Sequence, residues 1–186
     1  MALEISAGII IYRKTIDGPR FLILYHGRGY WNFPKGKIES EERTFQTALR
    51  EIREETGISR NELKFEEPFK AFEKFVFWRK EEKIYKTITF YLAETKRKAI
   101  KISEVKEGQP HEGFAWFTYK EAIKVLSKHK DSMRVLKQAY DFLQKKNSAV
   151  HRNGNAQNIR VRTAAVHMHQ KSRNYGEQNN AQRKNS

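Results

Sequence analysis

The chain has 186 residues, 38% of them apolar and none of them cysteine, which gives room for one domain of ordinary size plus an appendage and excludes disulfides and thiolate metal sites. Lys and Arg number 37 against 22 Asp and Glu, a formal net charge of +15 that favours a polyanionic partner. No apolar run reaches membrane-spanning length, and the start MALEISAGIIIYRK carries an acid, Glu4, where a signal peptide is basic, so a soluble, cytoplasmic protein with no membrane partner is expected.

Two β-rich runs open the chain, EISAGIIIYRK and RFLILYH, and the turn chemistry of Asp17-Gly18-Pro19 between them predicts a hairpin. An irregular loop, GRGYWNFPKGK, leads to a helix over about Thr44–Thr56, with Phe45, Leu49 and Ile52 on its apolar side and Gly57 as its end. The segments LKFEEPFKAFEKFVFW and KIYKTITFYLAE alternate as strands, Pro68 marking a bulge or edge. After a loop around Gly108–Pro110, GFAWFT is a short strand, and Thr118 with Glu121 forms a capping box for a helix through Leu126. A last amphipathic helix, DSMRVLKQAYDFLQKK, takes Asp131 as N-cap and Met133, Leu136, Tyr140 and Leu143 as apolar stripe. Strands interspersed with helices imply an α/β sandwich with a mixed sheet over residues 1–146. Residues 147–186 are rich in Asn, Gln and Arg, carry seven Lys/Arg against Glu177 alone, and are expected to be a disordered tail able to add nonspecific contact with nucleic acid.

The segment Gly36–Ile58 runs against this charge. Glu51, Glu54 and Glu55 share one face of its helix, at the spacing where like charges repel. The residues alone allow two readings. Either Arg50 and Arg53 neutralise a solvated acidic face, or hard divalent cations such as magnesium or manganese sit on a carboxylate cluster completed by substrate phosphates.

The whole segment fits the pattern G-x5-E-x7-R-E-U-x-E-E-x-G-U, with U a bulky aliphatic residue, at Gly36, Glu42, Arg50, Glu51, Ile52, Glu54, Glu55, Gly57 and Ile58. This resembles the Nudix box, without departures. The resemblance implies an α/β/α sandwich from about residue 2 to 145 and a hydrolase that uses Mg2+, or Mn2+, to cleave a nucleoside diphosphate linked to another moiety. It makes Glu51, Glu54 and Glu55 metal ligands, with Gly36 letting the loop turn back onto the ion. Glu55 or a nearby acid deprotonates the attacking water, Arg50 orients the cluster, and Glu42 supports the site from the helix start. A further acid is expected before the last strand: Glu107 in KEGQP, or Glu112 in HEGFAWF, with Glu112 preferred.

Before the box, WNFPKGKIE carries a lysine, Lys35, where nucleotide-pool sanitising members commonly have glycine. It is similar to asymmetric diadenosine tetraphosphate hydrolases, diphosphoinositol polyphosphate phosphohydrolases and messenger-RNA decapping enzymes. MALEISAGIIIYR, YKTITFYLAE, HEGFAWFTYKEA and AYDFLQ resemble the first of these. That resemblance implies action on a small nucleotide, diadenosine tetraphosphate, cut to ATP and AMP; a monomer is expected. Lys35, Lys37, Lys83, Tyr85 and Lys86 would hold phosphates, and Phe114 would stack on adenine. The alternative is an RNA 5′-end pyrophosphohydrolase or decapping-type enzyme.

Overall fold

The computed structural model describes residues 1–101 and 112–149. Glu107, the Gly108–Pro110 loop and the tail from residue 150 lie outside the described residues. The chain divides into two units, Met1–Phe142 and Leu143–Ser186, and the fold below is that of the first.

Its axis is β1 (Ala2–Thr15), buried without interruption from Ser6 to Tyr12 because both faces of the sheet are covered there. One edge of β1 runs parallel to β7 (Glu82–Thr95), from Ala2 opposite Ile84 to Tyr12 opposite Glu94. The other edge takes two antiparallel partners in turn. These are the short β4 (Lys35–Lys37), with Gly8 opposite Lys35, and then β2 (Gly18–Tyr25), joined by the expected hairpin, whose turn residues are Ile16 and Asp17 because Gly18 already pairs with Thr15. Outward from β2 lie β3 (Trp31–Asn32) and β8 (Gly113–Thr118); outward from β7 lie β5 (Leu63–Phe65) and β6 (Ala71–Arg79). One parallel pair among antiparallel ones makes the sheet mixed.

Strand alternation sorts β1 into two sets. Ala7, Ile9 and Ile11 meet Ala48 and Ile52 of α1 (Thr44–Thr56) on one face. On the opposite face Phe33 packs edge-on against Phe90 at 5.7 Å, and Glu73 of β6 accepts a hydrogen bond from Ser132 of a helix, α3, over residues 130–149. The order is helix, sheet, helix, as the α/β/α reading implies. Between β8 and α3, α2 (Tyr119–Val125) starts on the expected cap, the Thr118 hydroxyl accepting from Glu121 N.

Three expectations are corrected. Asp131 is not the N-cap of α3: it lies inside the first turn, paired with Arg134 at 2.7 Å, and the His129 carbonyl accepts from Met133 N. The buried stripe is accordingly Ser132, Val135, Leu136, Ala139 and Leu143, while Met133 and Tyr140 are only partly covered and Tyr140 stacks on Tyr119 at 4.2 Å. The segment from Leu63 to Trp78 is two strands, since Pro68, lacking an N–H, sits where ladder pairing stops. Phe90, by contrast, is fully buried core, as a strand aromatic more often is than a ligand platform.

Ile52 is the larger of the two fully buried residues, with Ala48, through which α1 grips β1. Ile52→Ala is expected to lower unfolding stability by about 2–5 kcal/mol, read from the urea midpoint at unchanged m-value.

Candidate active site

The chain leaves β4 and returns as α1, and the two are held in register by a missing side chain. A Cβ on Gly36 would overlap the Glu51 carboxylate, so only glycine lets the strand come this close to the helix. Glu55 Oε2 accepts from Lys35 N at 3.0 Å, a second tie between the same elements. Gly57, at φ 67°, ends α1 in the left-handed conformation, its N–H donating to the Arg53 carbonyl.

Arg50 sits at the centre. Its Nε and Nη2 donate to Glu42 at 2.8 and 3.0 Å, its Nη1 to Glu51 at 2.9 Å and Glu54 at 3.2 Å, and Nη2 also to the Lys37 carbonyl at 2.9 Å. Glu39 lies 3.5 Å from Nη1. One guanidinium therefore joins loop, strand and helix, and Glu42 is fixed further by the Thr47 hydroxyl at 2.8 Å.

The carboxylates differ in charge state as a result. Hydrogen bonds from Arg50, then from Thr47, hold Glu42 down to about 2. Glu51 is pushed up to about 7, first by burial and then by the charge of Glu55, with Arg50 opposing both. Glu54 remains exposed.

Among the described residues no three carboxylate or imidazole side chains converge as a closed metal cage. The donors nevertheless suit a hard divalent ion. They are all oxygen, one is raised by burial and then by the crowding of like charge that a cation relieves, and Gly36 has no side chain to push the Glu51 carboxylate aside. Magnesium is commonly held by few carboxylates, with water and substrate phosphate completing the shell, so an open cluster meets that requirement.

Alternation sends Lys35 and Lys37 to the face of the sheet opposite α1. Lys37 and Lys86 both reach Glu4, at 2.8 and 2.5 Å, and Arg79 joins them at 2.9 Å. Burial opposes ionisation of Glu4, but hydrogen bonds from Lys37, Lys86 and Arg79 outweigh it and hold the carboxyl at about 2. Lys35 acts electrostatically on Glu73, whose carboxyl burial pushes up, and on His129, which stands edge-on to Tyr30 at 4.9 Å. Lys83 and Tyr85 are on the other face, level with Leu3, and so are not gathered with Lys86. Phe114 is half-buried against the α1-side core. Glu112 packs on Gly27, its N–H donating to the Tyr25 carbonyl at 2.8 Å. Sequence reading passed over Glu4 and Glu73. An acid amid an apolar strand is a weak signal for Glu4, but its three cations come from residues 33 to 82 positions away.

The Nudix domain model matches residues 3–140. The chain belongs to the Nudix family. It is a Nudix hydrolase, of a kind that generally needs a divalent metal. Among curated proteins it is similar to the asymmetrical bis(5′-nucleosyl)-tetraphosphatases of Sus scrofa and Mus musculus, at 34% and 32% identity, each alignment covering 77% of this chain and 97% of the relative. Among solved structures it resembles a C. elegans Ap4A hydrolase binary complex, at 25% identity and TM-score 0.63, over 76% of this chain and 98% of that one.

In this Nudix hydrolase Glu51 binds its proton more tightly when folded than when unfolded, so its contribution to stability falls as pH rises toward and through about 7. In EDTA, the thermal midpoint of the wild type is expected to fall more steeply between pH 5 and pH 8 than that of Glu51→Gln. The burial of Glu73 adds a slope common to both proteins. Magnesium should flatten the wild-type curve alone; parallel curves would contradict the assignment.

Proposed function

We propose that this Nudix hydrolase acts, as a monomer with magnesium, on dinucleoside polyphosphates, and on diadenosine tetraphosphate first, giving ATP and AMP. The observation that carries the reading is the placement of Lys35 and Lys37 on β4, immediately beside a complete box, with Lys86 gathered to the same face. The names of the Sus scrofa and Mus musculus relatives, which the chain matches over almost their whole length, support the same substrate. Manganese is the alternative ion. The names of the relatives favour the dinucleotide over the RNA 5′-end reading, and this reading gives the basic tail no part in the chemistry.

A divalent ion on Glu51, Glu54 and Glu55 would neutralise phosphate charge and lower the pKa of the attacking water. The residues do the rest. Arg50 holds Glu51 and Glu54 from one side, so that their mutual repulsion does not splay them. Glu55, anchored through Lys35 N, accepts the proton of the attacking water at its carboxylate, with Glu112 as the loop acid that assists. Lys35, Lys37 and Lys86 bind the phosphates remote from the cut; Glu4 prevents the last two from repelling each other. Water adds to a terminal phosphorus and the bond to the bridging oxygen breaks, so that AMP and ATP leave. The cut is asymmetric because the acids stand on one helix and the cations to one side of it.

Glu54→Gln and Glu55→Gln are each expected to retain the fold and to lose at least about 10²-fold in kcat. Chromatography of wild-type products from diadenosine tetraphosphate should show equal ATP and AMP; two ADP would contradict the geometry. Turnover of the dinucleotide, as kcat/KM, should exceed that of triphosphate-ended RNA by more than about tenfold, or about 1.4 kcal/mol in transition-state binding. The reverse ratio would favour the RNA enzyme.

A further inference from the structure

The end of the sheet beyond α1 leaves one face open. Leu3, Tyr85 and Val76 stand opposite one another across β1, β7 and β6, and are 68%, 38% and 48% exposed. Trp78, 66% exposed, continues the row toward the hairpin end, opposite Lys83, and Phe72 continues it the other way. Such a contiguous apolar sheet face is uncommon on a surface with no partner. Along its facing strand positions the charge is of one sign, with Glu81 and Glu82 bordering Trp78 and Lys83 only at the hairpin end. Lys74, between Phe72 and Val76 on β6, and Lys83, whose ammonium lies 5.3 Å from the Tyr85 ring centre, are on it, and no acid is among the facing positions of these three strands.

The sign of that charge narrows the occupant. A second copy of the chain would bring Lys74 and Lys83 against their own kind. The tail, with seven cations and one acid, would do the same. A bilayer would take the apolar side chains but would have to cover lysines lying within the apolar rows rather than around them. Single-stranded nucleic acid alternates as the face does, with a flat apolar base and then an anionic phosphate at every step. Aromatic side chains on which bases stack, interleaved with lysines along a groove or sheet, are how proteins bind it without reading sequence.

We propose that the open face of β1, β7 and β6 binds single-stranded RNA, with Trp78 and Tyr85 stacking on bases and Lys74 and Lys83 pairing with phosphates. This lies beyond the hydrolysis reading, and it places nucleic-acid contact on the folded domain rather than on the tail.

The test uses the full-length chain and a fluorescein-labelled 20-nucleotide oligo(U), followed by anisotropy and by tryptophan quenching. Binding is expected to abolish part of the tryptophan signal, and Trp78→Ala should remove that quenching and weaken binding about tenfold, the scale of one lost base stack. Lys74→Ala should weaken it less and reduce the log–log salt slope by about 0.7. Both variants, and Leu3→Ser as a third should either fold poorly, should hydrolyse diadenosine tetraphosphate at the wild-type rate. Failure of the dinucleotide assay with oligo(U) binding intact therefore counts against the substrate reading only. The proposal is overturned if Trp78→Ala and Lys74→Ala bind oligo(U) as the wild type does. It is equally overturned if truncation after residue 149 alone removes binding, if the face binds phosphatidylserine vesicles in place of oligo(U), or if Trp78→Ala only dissociates a dimer in sedimentation.

Discussion

One guanidinium makes the acidic helix tenable. Glu51, Glu54 and Glu55 occupy one face of α1 at spacings where like charges disfavour a helix, and Glu51 is largely buried besides. Arg50 donates to two of these acids and to Glu42, and at the same time to the Lys37 carbonyl. The bland reading of Arg50, as a counter-ion, and the proposed one, as the part that aims a metal-binding cluster, call for the same arrangement. A counter-ion that also binds backbone on a neighbouring strand sets position as well as charge. Removing it would free the loop and leave the largely buried Glu51 carboxylate without its guanidinium partner.

The period of the β-strand then divides the work. Because Lys35, Gly36 and Lys37 alternate, the glycine admits α1 and its acids on one face while the two lysines go to the other, where Glu4 collects Lys37, Lys86 and Arg79. Acids and cations would cancel on one surface. Held on two faces of a three-residue strand, they remain close in the chain yet separate, as the proposed division between a divalent ion and phosphates requires. The same alternation puts Lys83 and Tyr85 on the side away from Lys86, which is why neighbours in sequence need not share a ligand.

The box itself was legible without coordinates, because its chemistry is local. Gly36, Glu42 and the α1 residues lie within about two turns of loop and three of helix, and side-chain spacing on a helix follows from sequence alone. The caps at Gly57 and Thr118 were legible for the same reason, and the mixed sheet from the order of strand and helix patterns along the chain. Less legible was whatever depended on contacts across the sheet. Glu4 meets cations from three other strands, and nothing around it in MALEISAG announces them. The start of α3 lies two residues before the expected one because Asp131 is a good cap by type, and an ion pair with Arg134 serves it equally well inside the first turn. Exposure of Trp78 was invisible too, since an alternating apolar strand reads as half-buried unless the helix that would cover it is known to end short.

The central claim is that Arg50 aims a carboxylate cluster at a divalent ion, and the most direct measurement is the electron paramagnetic resonance titration of Mn2+ against wild type and Arg50→Lys at pH 7.5. Lysine keeps the charge but cannot reach Glu42, Glu51, Glu54 and the Lys37 carbonyl together. The account predicts that Arg50→Lys keeps the circular dichroism of the wild type and binds Mn2+ at least about tenfold more weakly, a loss of about 1.4 kcal/mol. Equal Mn2+ affinity in the two proteins would contradict it, and would return Arg50 to the role of a surface counter-ion.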